Sequence, residues 1–313
     1  MRAAAAAAVL ALASAISLIT ACQQAGTSPT ARSRGTLMWA RSYRGLQPHG
    51  NQAVAAAVSP SGSTVFVTGY SDGAGALAHG VEDYATVAYN AATGARLWAS
   101  RYNGPAKGGD FAYALAVSPS GKAVFVTGSS DGGVTGPDYA TVAYDAATGA
   151  QLWVSRYNGP ASRHDDVRSL AVSPDGRVVF VTGQDVGKSA SGANETSYAT
   201  VAYDAATGAQ LWVRRYRGPG SRDDDASSVA VSPDGRIVFV TGRSETAGQL
   251  SVVTLAYRAA TGALAWKKRD GRASLDQPPS VAVSPAGKTV FIIGIANGEA
   301  TAAYSATTGA LMW

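Results

Sequence analysis

The stretch YATVAYDAATGAQLWV stands at residues 139–154 and again, letter for letter, at residues 198–213. A repeat this close marks a structural unit, because a neighbouring copy must present the same packing surface each time. Working outward from it, Ser-Pro-x-Gly recurs at Ser59, Ser118, Ser173, Ser232 and Ser284, and all six tryptophans hold one companion position: Trp39, Trp98, Trp153, Trp212, Trp266 and Trp313. These positions set a unit of about 50–60 residues, the size of a propeller blade and well above a leucine-rich or β-helix coil.

The third unit shows the pieces most clearly. DVRSLAVS (166–173) leads into Pro174-Asp175-Gly176, RVVFVTG rises to Gly183, and YATVAYD and AQLWVRRY follow a variable stretch. Proline presets the first central residue of a turn and glycine accepts the left-handed one, so SPDG reads as a tight hairpin. In DAATG the aspartate is placed to bond amides two or three residues on, and Gly208 takes the positive φ. VVFVTG is apolar on both faces, as a strand buried between layers is, whereas LWVRRY alternates. Trp212, Arg214 and Tyr216 share one face. The sister units carry Ser100 or Ser155 between the aromatics, so Trp is expected to pack between units and the middle letter to sit at a polar rim where arginine discourages edge pairing.

Four strands joined by tight turns and repeated side by side give an all-β chain, a β-propeller of about five four-stranded blades over residues 35–313. A parallel β-helix is the alternative, and two hairpin turns per unit oppose it. The repeat opens on a fourth strand, residues 37–43, with no blade before it, and closes on TTGALMW part-way through another. Either that first strand closes the ring beside the last one, or the blades form an open arc or a piece of a larger propeller.

AYDAATGAQLW resembles the tryptophan docking motif, A-x-D-x-x-T-G-x-x-x-W, of the quinoprotein alcohol dehydrogenases and their PQQ-like propeller relatives. It is carried by Ala143, Asp145, Thr148, Gly149 and Trp153, by Ala202, Asp204, Thr207, Gly208 and Trp212, and by Ala88, Asn90, Thr93, Gly94 and Trp98, and it decays to Arg258 and Ser305 at the Asp position. The resemblance implies blade packing by the six tryptophans. The dehydrogenases of that family hold PQQ against adjacent cysteines and a calcium ion. With a single cysteine in the chain, no catalytic residue carries over, and neither PQQ nor calcium is expected. The same fold also serves bacterial lipoproteins that act as scaffolds in assembling outer-membrane proteins.

The N-terminus points the same way. One charge at Arg2, an apolar run over residues 3–13 and small residues before Cys22 describe a secretory signal over residues 1–21. Ile19-Thr20-Ala21-Cys22 resembles the lipobox, in which the cysteine is acylated on sulfur. Cys22 is the lone cysteine, and residues 22–34, without apolar periodicity, read as a lipidated flexible tether. An uncleaved membrane helix over residues 3–21 is the alternative. The net charge of +5 is small and scattered among acidic residues, too little to argue for a nucleic-acid partner, and none is expected. Without a second cysteine, stability rests on the core. A monomer is expected.

Chemistry is sparse. The stretches entering each first strand carry Asp110, then His164, Asp165 and Asp166, then Asp223, Asp224 and Asp225, and finally Asp276, an acidic collar at one channel mouth and the candidate ligand site. Each of these aspartates can instead cap a strand entry by bonding nearby amides. His49, His79 and His164 lie on separate stretches, so no metal site is expected. KKRDGR (267–272) can meet anionic lipid or stand as a solvated edge. The expected function is a membrane-anchored, non-catalytic scaffold for a protein, peptide or glycan partner, reached through the variable stretches after Gly69, Gly128, Gly183 and Gly242. The alternative is a propeller enzyme: a hydrolase or lyase at the acidic mouth, or a degenerate quinoprotein.

Overall fold

The computed structural model describes residues 36–45, 50–73, 81–161, 163–188, 194–219, 223–272, 278–295 and 300–313. The expected signal (1–21), tether (22–34) and Cys22, together with His49, His79 and Asp276, lie outside them. Blade 1 is β1 (Gln52–Val58), β2 (Thr64–Asp72), β3 (Glu82–Asn90) and β4 (Arg96–Tyr102). Blade 2 is β5 (Asp110–Val117), β6 (Ala123–Asp131), β7 (Pro137–Asp145) and β8 (Gln151–Tyr157). Blade 3 is β9 (Asp166–Val172), β10 (Val178–Lys188), β11 (Asn194–Asp204) and β12 (Gln210–Tyr216). Blade 4 is β13 (Asp224–Val231), β14 (Ile237–Thr246), β15 (Gln249–Arg258) and β16 (Leu264–Arg272), and blade 5 is β17 (Ser280–Val283), β18 (Thr289–Ile295) and β19 (Ala300–Ser305). Each sheet is an antiparallel meander in chain order, four-stranded in blades 1 to 4 and three-stranded in blade 5.

The core lies between blades. Phe66 and Trp98 of blade 1 pack with Val126 and Tyr144 of blade 2, and the same kind of layer recurs at each of the next three junctions. This is why VVFVTG must be apolar on both faces. Buried threonine pairs cross the middle strands, Thr127 to Thr141 and Thr182 to Thr200, both at 3.0 Å. They satisfy the hydroxyls that the TG and AT letters bring inside.

Tryptophan docking occurs at every junction. The indole N–H of Trp98 donates to Ala146 O at 3.0 Å, Trp153 to Ala205 O at 3.0 Å, Trp212 to Ala259 O at 2.8 Å and Trp266 to Ala306 O at 3.0 Å. The receiving turn needs glycine twice over. Gly208 has φ +74°, and a Cβ there would stand 2.7 Å from the Trp153 ring. The middle letter of the outer strand is not a mere rim residue, as the alternation suggested. Ser100 and Ser155 donate to Gly149 O and Gly208 O at 2.5 Å, and Arg214 Nε donates to Gly262 O at 2.8 Å. Serine and arginine interchange because either donates to that glycine carbonyl, and Arg214 adds a second bond from Nη2 to Thr261 O at 2.6 Å.

The expected first strand, residues 37–43, joins no sheet among the described residues. Residues 36–45 have no strand geometry; instead Trp39 docks on blade 1, donating to Ala91 O at 2.8 Å, while Arg41 Nε reaches Gly94 O at 2.9 Å. The edge of β19 is taken by the chain's own residues 311–313, Met312 N donating to Ala303 O at 2.8 Å. Successive innermost strands β1, β5, β9, β13 and β17 pack together, and β17 and β1 make no comparable contact. Among the described residues the blades therefore form an open arc. No helix of the described residues is long and apolar enough to cross a membrane.

Candidate functional site

One face of the arc carries the entries to the innermost strands and the far ends of β2, β6, β10 and β14; the other carries the Ser-Pro hairpins. Strands run past the TG glycines, β10 as far as Lys188 and β14 as far as Thr246. The variable connections are thus shorter than the sequence suggested.

The acidic collar separates into two columns. The first is Asn51, Asp110, Asp165 and Asp224. Each accepts a hydrogen bond from the backbone N–H six residues earlier: Gly45 at 3.0 Å, Gly104 at 2.6 Å, Gly159 at 2.5 Å and Gly218 at 2.8 Å. Asp110, Asp165 and Asp224 are fully enclosed. They tie the crossover loop to the strand it feeds, and blade 1 does the same with a neutral amide. Burial pushes the Asp110 carboxyl above its ordinary range and lifts Asp165 to about 6.

The buried Asp110 carboxyl makes stability depend on pH. Its folded pKa lies above the unfolded value, so its ionised form weakens the fold as pH rises through that pKa, and the penalty vanishes below the unfolded value near ~3.9. Asp110→Asn should match or exceed the wild-type unfolding midpoint at pH 8 and lose any advantage by about pH 4. Asp110→Ala, which orphans the Gly104 N–H, should lose about 1–2 kcal/mol at either pH in urea unfolding. An Asn variant as damaged as the Ala variant would refute the tie.

The second column, Gln52, Phe111, Asp166 and Asp225, differs from blade to blade. Each residue is followed two positions later by a β-bulge in the innermost strand, leaving Val54, Tyr113, Arg168 and Ser227 outside the ladder. The TG glycines make room for it. A Cβ on Gly69, Gly128, Gly183 or Gly242 would stand 1.9 to 2.1 Å from the carbonyl oxygen of the second-column residue. The bulge sends its residue along the inner rim towards the next blade: Ser227 Oγ donates to Pro279 O at 2.5 Å, and Arg168 Nε lies 4.0 Å from Asp225 Oδ1.

Charges alternate along this rim. Asp166 Oδ1 accepts from Ser129 Oγ at 2.8 Å and lies 3.1 Å from His164 Nε2, and Arg168 reaches Asp166 Oδ2 at 3.5 Å. Arg243 bonds Asp225 Oδ2 at 3.0 Å. Asp223 lies apart and exposed, accepting from Thr196 Oγ1 at 3.2 Å. A groove of about 690 Å³ opens on the same face between blades 2 and 3, lined by Val134, Thr135, Ala161, Arg163, His164 and Thr196 among others. Among the described residues no three His, Cys, Asp or Glu side chains gather as a metal set.

Sequence reasoning passed over the arginine before the outer-strand tyrosine. Arg101 bonds Asp83 at 2.9 Å, Arg156 bonds Asp138 at 3.1 Å and Arg215 bonds Asp185 at 2.5 Å. Arg156 also reaches Tyr102 OH of the preceding blade at 3.1 Å, and Tyr157 OH donates to Asp185 of the following one at 2.6 Å. The outer strands of blades 1 to 3 therefore grip the next blade at both ends, by Trp and by Tyr, whereas in blade 4 Asp270 stands at the tyrosine position and accepts from Tyr304 OH. The recurring Arg-Tyr pair in SRY, SRY and RRY was the available signal.

A family model described as outer membrane protein assembly factor BamB matches residues 25–191 and 140–313, nearly the whole sequence. The chain belongs to the BamB family. Its PQQ-like repeat and all-β propeller architecture agree with solved structures. The Dos1 propeller is 11% identical with a TM-score of 0.56, covering 84% of this chain and 58% of that one. Chaetomium thermophilum Sqt1, bound to the N-terminus of ribosomal protein L10, is 17% identical with a TM-score of 0.52, covering 80% and 58%. Kuenenia stuttgartiensis hydrazine synthase is 17% identical with a TM-score of 0.52, covering 81% and 64%. At such identities the likeness to this family member is one of fold alone. The chain spans less than two thirds of the length of each of these three structures. No curated protein matches it.

Proposed function

We propose that the chain is an exported, lipid-anchored and non-catalytic scaffold that binds a polypeptide partner on the entry face of its blades. The observation that carries this reading is the division of labour on that face. The repeated carboxylates Asp110, Asp165 and Asp224 are enclosed and spent on backbone amides. What remains outward is unrepeated: Val134, Arg163 and His164 along the groove between blades 2 and 3. A general acid–base pair needs reach to a substrate, and enclosed carboxylates lack it. Membership of a family described as an assembly factor and the peptide-bound state of Sqt1 support a protein partner. The reading includes no resident PQQ or calcium, since the adjacent cysteines that would face the quinone are absent from the sequence. Acylation of Cys22 would supply the anchor, two or three chains holding where one would not.

The test places a photoreactive residue at Val134, which is fully exposed, or at Asp234 on the opposite hairpin face, in the full chain expressed in an envelope. Val134 should yield a discrete polypeptide adduct and Asp234 should not. Equal labelling from both positions, or none from Val134, removes the entry face as the docking surface. Cys22→Ala should move the protein from the membrane to the soluble fraction.

A further inference from the structure

We propose that the Ser-Pro hairpin face of the arc lies against an anionic lipid bilayer, which turns the entry face and its polypeptide groove away from the membrane. The inference rests on the lipid anchor at Cys22 proposed above and adds an orientation to it. The direction of the first described segment decides where the anchor joins the fold. Trp39 docks on Ala91 and Arg41 on Gly94, in the turn between β3 and β4. That turn lies at the hairpin end of the sheet, since Asn90 pairs with Thr64 and Tyr89 with Arg96. Further on, Gly45 N–H donates to Asn51 Oδ1 at the entry end. Residues 36–45 therefore run from the hairpin face to the entry face, and the tether joins the fold on the hairpin side. A tether of residues 22–35 has an average reach of about 20 Å as a coil, whereas the nine-residue strands β2 and β6 that separate the two faces span about 30 Å. Holding the entry face on the bilayer would stretch the tether along a whole blade.

Charge divides in the same direction. Arg96, Lys122, Arg177, Arg236, Arg258 and Lys288 are exposed at the hairpin ends, with the Arg177 and Arg236 side chains 85% and 84% exposed. Among the described residues only Asp145, Asp175, Asp204 and Asp234 bring acid to this face, and every other carboxylate lies towards the entry end. These four are engaged inside their own turns. Asp145 and Asp204 accept from the Thr148 and Thr207 amides at 2.8 and 2.9 Å, and Asp175 and Asp234 from the Ser173 and Ser232 hydroxyls at 2.5 Å. The face is left net positive, and cations beside an anionic leaflet are each attracted to it. The stretch KKRDGR runs instead to the entry end, where Arg269 bonds Ser244 Oγ at 2.8 Å.

Leucine supplies the apolar part. Leu97, Leu152, Leu211 and Leu264 stand at the start of the outer strands, just past the turns, and are 50 to 53% exposed. Leucines interleaved with arginine and lysine suit the headgroup boundary, where apolar side chains enter and cations stay with phosphate. Repetition favours lipid over a folded partner. A protein surface is met by letters that differ from blade to blade, as on the entry face. A bilayer is uniform along its plane, and here each blade offers a leucine beside its docking tryptophan, while blades 2 to 5 place a cation at one hairpin position, Lys122, Arg177, Arg236 and Lys288.

The experiment incorporates the acylated full chain into vesicles of phosphatidylcholine, alone or mixed with phosphatidylglycerol, and reads by mass spectrometry the phospholipid adducts of a photoreactive residue at Asp234 or at Val134. With phosphatidylglycerol present, Asp234 should label lipid about tenfold more than Val134 does. The excess should shrink in phosphatidylcholine alone and at about 1 M salt, where charges are screened beyond about 3 Å. Lys122→Glu with Arg177→Glu, and separately Leu152→Ser with Leu211→Ser, should each cut labelling from Asp234 about fivefold while leaving the thermal midpoint within a few degrees. Equal lipid labelling from both positions, labelling mainly from Val134, or labelling from Asp234 unchanged by the charge reversal overturns the orientation while the anchor stands. A chain that carries no acyl group at Cys22 and does not float with the vesicles removes the anchor, and this inference falls with it.

Discussion

Replacing Trp153 by alanine should cost about 3–5 kcal/mol of unfolding free energy, the range for a truncated core aromatic. The side chain is 8% exposed, rests against Phe125 at 5.8 Å between ring centroids, and donates to Ala205 O across the junction. Its removal leaves a cavity between two sheets, an unpaired carbonyl and a glycine turn with nothing to close on. Trp39→Ala should cost less, because Trp39 is only part-buried and anchors a segment without strand partners. Trp313→Ala should cost least, with that ring 67% exposed. Urea unfolding of the three variants gives the order directly. A Trp313 variant as unstable as the Trp153 variant would show that the end of blade 5 is covered in solution. Because blades stack as in a repeat protein, the Trp153 variant should also broaden the transition, splitting blades 1 and 2 from blades 3 to 5.

The same junction shows where sequence and structure part company. The docking tryptophans, the SPxG hairpins and the DAATG turns are legible because each depends on contacts within a few residues or on a partner repeated identically in the next unit. Asp145 Oδ1 takes the amides of Ala147 and Thr148 at 3.1 and 2.8 Å, as its turn chemistry demanded. What the letters hide is direction. Asp165 and Asp166 are adjacent, yet one faces inward onto Gly159 N–H and the other lies along the rim beside His164, since successive strand residues point to opposite sides. The collar was therefore two columns, only one of them reachable. Nor does composition reveal the bulge, which changes the register by one residue and is recorded in sequence only as a TG glycine with no room for a side chain. The first strand misled for a different reason. LMWARSY has the alternation of an outer strand, but the edge it would pair with on blade 5 is taken by an identical LMW, residues 311–313.

Moving one carboxylate across a strand pair should rescue its own deletion. In blades 1 and 2 the acid that holds the outer-strand arginine lies at the start of the third strand, with serine opposite: Ser71 faces Asp83 and Ser130 faces Asp138. Blade 3 reverses the pair, Asp185 facing Ser197. The guanidinium meets either arrangement because the two positions are cross-strand neighbours on one face. Asp185→Ser alone leaves the Tyr157 hydroxyl and a partly buried Arg215 without their acceptor. Breaking such a pair costs about 3–5 kcal/mol when both charges are buried, and with Arg215 a third exposed the lower end, about 2–3 kcal/mol, is expected. Ser197→Asp alone crowds two carboxylates onto one arginine and should also destabilise. The double variant rebuilds the geometry of blade 2 and should recover more than half of the first loss, a coupling of about 1–2 kcal/mol. Its readout is a double-mutant cycle in urea at pH 7. A double variant less stable than Asp185→Ser would mean that blade 3 requires its acid on β10, with Tyr157 rather than Arg215 as the partner that matters. Removing the Asp185 charge should also lower the Asp165 pKa from about 6, because Asp185 is one of the charges holding it up. That shift, followed by carboxyl NMR, reports on the pair without reference to stability.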